Sequence, residues 1–400
     1  MSVTRRAFVH GLAALPLATT ARPQAPRIEA APPDSSFDPR VEVHEGHLRQ
    51  NVEAVARRVG GRPILAVVKN NGYGAGVANI GRLLDPLPAI HGLAVIKLQE
   101  AATLRDAGVR KPVLLMGPFD ERELAEAAAR DIELMVYTPV GDALERAAAS
   151  LRRPVAVQIC VDTGIGRVGV PHTRAAALIR DLAARPGVRI TGTMMTFTED
   201  PDFDREQLRR FRALCAELEA AGVPLGRKHA ASSYALFQNA DSFLDMVRPG
   251  MALYGIYPEP AFRTSGALAL TPAIALKARV AYVKQLAAGE SAGYNRAYVA
   301  SRPVWVATLP VGHADGWPRV AAKGAKVRIR GALCPVIASV SASHTIVEIG
   351  PDRRGVEIGD DATCFDWTEG SRPEDVGVAC GASVYDLTMH LNALLPRRVI

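Results

Sequence analysis

The chain has 400 residues, 48% of them hydrophobic, which is enough for a sizeable core in two or three domains and excludes a largely disordered protein. Its 48 Lys and Arg and 41 Asp and Glu give a net charge of +7, but the basic residues are scattered without interleaved aromatic side chains, so we expect no nucleic-acid partner. The five Cys form no CxxC pair, which argues against a zinc ribbon, and no apolar run reaches the roughly 18 residues of a membrane span, so we expect neither a metal site nor membrane insertion.

The first forty residues are typical of an export signal followed by a linker. Arg5 and Arg6 are paired, Phe8 follows, and residues 11–17 are weakly apolar, as in a twin-arginine signal. We assign residues 1–25 to this signal and the Pro/Ala-rich residues 26–40 to a linker, which predicts a periplasmic or secreted protein. The alternative is a disordered basic N-terminus on a cytoplasmic protein.

From about residue 47, short apolar runs alternate with stretches of helical period. About eight such units occupy just over two hundred residues, which predicts a (β/α)8 barrel over residues 41–265, although the pattern alone also allows an open doubly wound sheet. The expected strands lie at residues 64–68, 92–96, 113–116, 132–136, 155–161, 188–195, 228–231 and 246–248.

The sequence pattern changes after about residue 266. There, runs of β-favouring residues are separated by Gly, Pro and Asp, and few stretches have a helical period. We therefore predict a second, mainly β domain over residues 266–400.

Lys69 directly follows the first expected barrel strand, at the end where barrels of this type place their chemistry. Its neighbours are apolar, so desolvation should lower the pKa of its ammonium group, as an amine nucleophile requires. Gly72, Gly74 and Gly76 then leave backbone open to a ligand. The alternative is a lysine that ends a strand in solvent.

The segment around Lys69, AVVKNNGYGAG, resembles the cofactor-lysine motif of alanine racemases, which typically reads AVVKANAYGHG. Further resemblances follow in the family's order and cover the chain from about residue 41 to its end. These segments are VDTGIGRVG at 161–169, HAASS at 229–233, VRPGMALYG at 247–255, GYNRAY at 293–298 and GHADGWPR at 312–319.

This resemblance implies a pyridoxal 5'-phosphate enzyme in which Lys69 joins the cofactor covalently. Arg248 would face the pyridine nitrogen, and because a guanidinium keeps its proton, that nitrogen would stay unprotonated. The residues implied to hold the cofactor's phosphate are Tyr73, Ser233, Gly250, Met251 and Tyr385.

The resemblance also implies racemisation of an amino acid by two bases, one on each face of the substrate. Lys69 would serve one face, and Tyr294, contributed by the partner in a head-to-tail homodimer with shared active sites, would serve the other. Arg167 would neutralise the substrate carboxylate.

Several positions depart from the family pattern on the substrate side. Cys160 stands where the family usually has Lys, Thr196 where it has His, His313 where it has Tyr, and Ala342 and Ser343 where it has Met and Asp. These changes leave more room, which suggests a substrate other than alanine, such as a larger or basic amino acid. Two alternatives remain: a lyase or decarboxylase on the same barrel, and a degenerate homologue that binds without catalysis.

Overall fold

The computed structural model describes residues 36–400 of the chain. The predicted export signal at residues 1–25, and residues 26–35 of the predicted linker, lie outside the described residues.

Strands recur along the whole described chain. Their bounds are β1 (Arg40–Val43), β2 (Ile64–Val67), β3 (Ile90–Val95), β4 (Val113–Leu115), β5 (Ile132–Val136), β6 (Val155–Asp162), β7 (Val170–Pro171), β8 (Val188–Met194), β9 (Arg227–His229), β10 (Ile274–Arg279), β11 (Tyr282–Leu286), β12 (Ser291–Ala292), β13 (Tyr298–Val299), β14 (Val304–Leu309), β15 (Lys326–Ile329), β16 (Ala332–Ile337), β17 (Thr345–Gly350), β18 (Asp361–Phe365) and β19 (Arg397–Val399).

Helices are concentrated before residue 240. Their bounds are α1 (Glu45–Arg58), α2 (Lys69–Tyr73), α3 (Val77–Leu84), α4 (Leu98–Asp106), α5 (Glu121–Ala129), α6 (Gly141–Leu151), α7 (His172–Ala183), α8 (Pro201–Ala220), α9 (Ala235–Gln238), α10 (Pro373–Cys380) and α11 (Val384–Thr388). In residues 36–400, no helix combines the length and the apolar character needed to cross a bilayer.

The first architectural unit is a closed parallel barrel. Its hydrogen-bonded order is β2-β3-β4-β5-β6-β8-β9, and the chain around Val247 closes the ring as a short eighth strand. The amide of Leu65 on β2 donates to the carbonyl of Val247 at 2.9 Å, and the amide of Arg248 donates to the carbonyl of Ala231 at 2.8 Å on the other side. The predicted (β/α)8 barrel is confirmed, and the open-sheet alternative is wrong because the edges of the sheet meet.

The sequence explains why these elements form. All four residues of β2 are apolar and buried, as expected for a strand covered on both faces. Helix α8 begins where Asp200 accepts hydrogen bonds from the amides of Asp202 and Phe203, each at 3.1 Å, with Pro201 in the first turn. Its apolar stripe includes Cys215, which is buried.

The second unit is a nine-stranded, mostly antiparallel sheet in the order β11-β14-β17-β16-β15-β18-β10-β1-β19, which confirms the predicted mainly β domain. Strand β1 lies in this sheet, between β10 and β19, although residues 41–43 fall within the range predicted for the barrel. Buried Glu42 on β1 binds Arg40 at 2.8 Å and Lys277 at 2.7 Å. The described part of the chain therefore enters the second sheet first, then forms the barrel, and returns to the sheet.

Candidate active site

A cavity of about 500 Å³ opens where the barrel strands end, at their carboxyl side. It brings together most of the predicted site residues: Lys69, Tyr73, Arg167, Ser233, Arg248, Gly250, Met251 and Tyr385. Three further predicted residues, Tyr294, His313 and Ala342, do not line it.

Lys69 is presented by a left-handed turn. Asn70, Asn71, Gly72 and Tyr73 all have positive φ, between 53° and 62°. Asn and Gly accept this conformation readily, but an aromatic residue does so rarely and at a cost of order 1–3 kcal/mol. The turn points Lys69 and Tyr73, four residues apart, into the same cavity.

Contacts from elsewhere in the chain hold this turn. The buried carboxylate of Glu100 accepts a hydrogen bond from the Asn71 amide at 2.8 Å. Arg397, on the last strand, donates from Nε to the carbonyl of Gly74 at 2.9 Å. A Cβ on Gly74 would lie 2.1 Å from the carbonyl oxygen of Thr388, so only glycine permits this close approach. The C-terminal segment thus supports the turn that carries Lys69.

A group of residues suited to bind an anion lies beside Lys69 in the cavity; it is here called the cradle and consists of Ser233, Tyr73, Tyr385 and the backbone at Gly250. The hydroxyl oxygen of Ser233 accepts hydrogen bonds from the amides of Gly250 and Ala252 at 3.0 and 3.1 Å, which leaves its own proton free to donate. A Cβ on Gly250 would lie 2.1 Å from the hydroxyl oxygen of Tyr73, so the backbone and the phenol meet at this point. The hydroxyls of Ser233, Tyr73 and Tyr385 line the cavity together. Several hydroxyl donors in one place are appropriate for a phosphate.

The electrostatics of Lys69 favour an amine nucleophile. Burial, followed by the charges of Arg167 and Arg248, lowers the pKa of Lys69, while Glu100 acts in the opposite direction. A larger fraction of the side chain is therefore neutral, and nucleophilic, than in a solvent-exposed lysine.

Arg248 is buried, and three groups fix its guanidinium. It donates to Nδ1 of His229 at 2.8 Å, to the carbonyl of Met195 at 2.9 Å and to the Thr196 hydroxyl at 3.2 Å. Burial, with a smaller contribution from Arg167, lowers the pKa of Arg248 to about 10, so the group stays charged at neutral pH. Thr196, although it replaces the family's histidine, still contacts this arginine.

Gln158 and Glu133, which the sequence analysis did not identify, extend a series of hydrogen bonds from His229 into the barrel. Nε2 of His229 lies 2.9 Å from Oε1 of Gln158, and Nε2 of Gln158 donates to the carboxylate of Glu133 at 2.6 Å. All three side chains are buried. The available signal was their polarity within otherwise apolar runs, IELMV for β5 and VAVQICV for β6.

The loop after β6 places Arg167 at the mouth of the cavity. The Asp162 carboxylate shapes it by accepting hydrogen bonds from the amides of Gly164 and Gly166 at 2.8 and 3.2 Å. Cys160 lies in the cavity wall, is buried, and directs its thiol toward the Val168 carbonyl at 3.7 Å. Burial raises the pKa of this thiol to about 11, so Cys160 is an uncharged wall residue and not a nucleophile.

Tyr294 is remote from the cavity of its own chain. It lies in the short turn Tyr294–Arg296, between β12 and β13 of the second domain, and 74% of its side chain is exposed. The preceding Gly293 has a φ of 75°, and a Cβ there would lie 2.6 Å from the Cβ of Ala338. One chain therefore does not bring Tyr294 to Lys69.

His313 and Ala342 lie side by side in the second domain. The amide of Ala314 donates to the carbonyl of Ala342 at 3.0 Å, and the His313 ring lies 2.8 Å from the guanidinium of Arg319. Both positions are outside the cavity of the single chain, like Tyr294.

Comparison with protein families assigns almost all of the described chain. Residues 43–258 match the alanine racemase N-terminal domain, and residues 273–399 match the alanine racemase C-terminal domain. The alanine racemase of Symbiobacterium thermophilum is 34% identical over 364 residues, covering 89% of this chain and 95% of that protein. The alanine racemase of Desulforamulus reducens is 31% identical over 363 residues, covering 89% and 97% respectively.

Solved structures of alanine racemases also align with most of this chain. The alanine racemase from a D-cycloserine-producing Streptomyces lavendulae aligns with a TM-score of 0.83 and 29% identity, over 91% of this chain and 97% of that one. The alanine racemase of Streptomyces coelicolor aligns with a TM-score of 0.83 and 29% identity, over 92% and 99%.

Proposed function

The chain belongs to the alanine racemase family and is a pyridoxal-phosphate-dependent amino-acid racemase; from this premise we propose that it accepts amino acids larger than alanine and uses Lys69 and the partner subunit's Tyr294 as its two bases. The two-base arrangement rests on one observation: the cavity joins Lys69, Arg248 and the cradle in one chain, while Tyr294 is exposed on the other domain.

The described residues fit pyridoxal phosphate. The cradle offers the hydroxyls of Ser233, Tyr73 and Tyr385 as donors for the phosphate, and Lys69 has the lowered pKa of an amine that attacks an aldehyde. When bound, the cofactor supplies an aldehyde carbon for Lys69 and a conjugated ring that accepts the electron pair released from the substrate's α-carbon.

Arg248 restrains this chemistry. A charged guanidinium can donate to the ring nitrogen but cannot accept from it, so that nitrogen is held without a proton. Enzymes that eliminate or decarboxylate with this cofactor gain from a carboxylate at the same place, which would deepen the electron sink. Arg248, anchored by His229 and Thr196, therefore favours racemisation over the lyase alternative.

Two bases on opposite faces of the substrate explain inversion at its α-carbon. Lys69 Nζ exchanges a proton on one face, and the phenol of Tyr294 from the partner subunit exchanges a proton on the other. Arg167 at the cavity mouth pairs with the substrate carboxylate and sets which bond is presented to the bases. Because Tyr294 is remote from the cavity of its own chain, this arrangement requires a head-to-tail homodimer.

The cavity wall supports a substrate larger than alanine. Met116, Met135 and Met194 line it, and unbranched methionines adapt to different shapes. Cys160 adds a short side chain where relatives usually carry a long lysine. The cavity wall on the substrate side therefore combines one short side chain with methionines that can adapt their shape to a larger substrate.

Glu199 favours a cationic side chain among these larger substrates. Its carboxylate lines the same cavity; burial, together with Asp204 and Glu259, raises its pKa, and Arg167 acts in the opposite direction. A lysine- or arginine-like substrate would add a positive charge that favours the ionised carboxylate.

The substrate proposal is tested by incubating the purified, cofactor-loaded protein with single enantiomers of alanine, methionine, lysine and arginine in deuterated water. We expect loss of optical rotation and deuterium at the α-carbon for the larger substrates. A strict preference for alanine would refute the breadth, and release of ammonia or carbon dioxide would indicate the lyase alternative.

The covalent proposal is tested by borohydride reduction of the loaded protein followed by peptide mapping. We expect the cofactor on the peptide that contains Lys69 and at no other lysine. Absence of that label would remove Lys69 from the mechanism.

We also propose export through the twin-arginine motif at Arg5 and Arg6. Fractionation of cells that produce the full chain should place the protein outside the cytoplasm, and Lys substitution of both arginines should retain it inside.

A further inference from the structure

Four buried side chains form a hydrogen-bonded series, here called the polar row, made of Arg248, His229, Gln158 and Glu133. The three distances along it are 2.8, 2.9 and 2.6 Å. Glu133 also lines a second cavity, of about 590 Å³, which is lined by His91 and Arg189 as well. The polar row therefore runs through the barrel from this cavity to the catalytic one.

The bond directions in the polar row are fixed from both ends, because the Glu133 carboxylate only accepts and the Arg248 guanidinium only donates. A carboxylate only accepts, so Gln158 must turn its NH2 group toward Glu133 and its carbonyl toward His229. His229 must then carry its proton on Nε2, which leaves Nδ1 to accept from the guanidinium of Arg248. Burial and the charge of Arg248 hold the pKa of His229 well below its usual range, so the ring stays neutral and Nδ1 stays free to accept.

Without an acceptor at position 133, the NH2 group of Gln158 loses its partner in the polar row, and the Gln158 amide is held only by His229. The Gln158 amide could then rotate its NH2 group toward His229, where two donors would face each other. If the His229 proton moved from Nε2 to Nδ1 to avoid this contact, Nδ1 would become a donor and would face the guanidinium of Arg248, which is also a donor. The guanidinium would have to leave its position, because an unsatisfied buried donor is costly.

We infer that Glu133 is a positioning residue that, through Gln158 and His229, holds Arg248 against the ring nitrogen of the cofactor. The inference rests on the proposed racemisation for its effect on rate, but the state of His229 can be measured without any activity.

The experiment compares Glu133→Ala and Glu133→Gln in the full chain. Alanine removes the acceptor, so kcat should fall about 10- to 100-fold with KM within about twofold, as for other supports of a catalytic group. Glutamine keeps a carbonyl that can accept from Gln158, and should restore kcat to within about threefold of the parent.

The second readout is the imidazole nitrogen spectrum of the unloaded protein labelled with 15N-histidine. The His229 signal, assigned by its loss in His229→Asn, should report a neutral ring protonated at Nε2 in the parent and in Glu133→Gln, and should change in Glu133→Ala. Glu42→Ala is the matched control, because it also removes a buried carboxylate, in the second sheet, outside the polar row. It should leave the His229 signal unchanged.

Two results would overturn the inference. One is a Glu133→Ala protein with parental kcat and an unchanged His229 signal, and the other is a Glu133→Gln protein as slow as Glu133→Ala. If the parent racemises no amino acid but the His229 signal responds as expected, the proposed function fails while the structural role of Glu133 stands.

Discussion

The cofactor side and the substrate side of the site are built differently. On the cofactor side, Lys69, Ser233 and Arg248 belong to one barrel, and hydrogen bonds within that chain fix the cradle and the guanidinium. On the substrate side, Tyr294 and Ala342 lie in the second domain, exposed and outside the cavity. The cofactor side is preorganised within one chain, whereas in the proposed homodimer the partner subunit would complete the substrate side.

Because of this difference, cofactor binding and catalysis should respond separately to substitutions. A single chain contains every group proposed to hold pyridoxal phosphate, but only one of the two proposed bases. Changes to Lys69 or to the cradle should therefore affect loading and rate together, while a change to Tyr294 should affect rate and leave loading intact.

The largest effect is expected from Lys69→Ala. Removal of the amine eliminates both the covalent link and one base, so racemisation should fall by about 10⁴-fold or more. Activity assays and borohydride labelling measure the two losses. Lys97→Ala is the control, because Lys97 is a nearby lysine outside the cavity of about 500 Å³, and an equal loss there would contradict the assignment.

Tyr294→Phe should lower kcat about 10²- to 10⁴-fold while the cofactor stays bound, because it removes one proton-transfer group. A mixed dimer of Lys69→Ala and Tyr294→Phe chains tests whether the two sites are shared between chains. One of its two sites would carry both defects and the other neither, so each mixed dimer should recover up to about half of the parental activity. Failure of the two variants to complement would show that the sites are not shared.

Gly250→Ala should weaken cofactor binding about tenfold or more, because the new methyl would lie 2.1 Å from the Tyr73 hydroxyl and something must shift. Titration of the unloaded protein with pyridoxal phosphate measures this. Gly46→Ala in α1, where the nearest contact is 3.2 Å, should bind the cofactor as the parent does.

The smallest effect is expected from Glu199→Gln. Loss of one charge at the cavity mouth should lower kcat/KM for lysine or arginine about three- to tenfold and leave alanine unchanged. Asp202→Asn, an exposed acid on α8, is the control for net charge. An equal change for alanine and lysine would exclude Glu199 from substrate selection.

Local patterns predicted the barrel well. Strand β2 was expected at residues 64–68 and observed at Ile64–Val67, because a short apolar run between helical stretches is informative without its partners. Strand β1 was not recognised, because its partners β10 and β19 lie more than 200 residues away and its Arg40 and Glu42 are buried as an ion pair.

The candidate site shows the same division. Motifs identified the residues that line the cavity, but the polar row depends on which strands are adjacent: Glu133 on β5 meets Gln158 on β6 only because those strands pair. Likewise, sequence named Tyr294 as a base but could not show that its turn projects away from the cavity of its own chain.

The bond between Arg397 and the Gly74 carbonyl has a consequence for biosynthesis. During translation, the turn that presents Lys69 emerges early, but Arg397, which secures it, lies 323 residues after Gly74. Ribosome-bound nascent chains should therefore lack a finished vitamin B6 pocket even after every barrel strand has left the exit tunnel. Stable loading with the vitamin should begin only once β19 has also emerged.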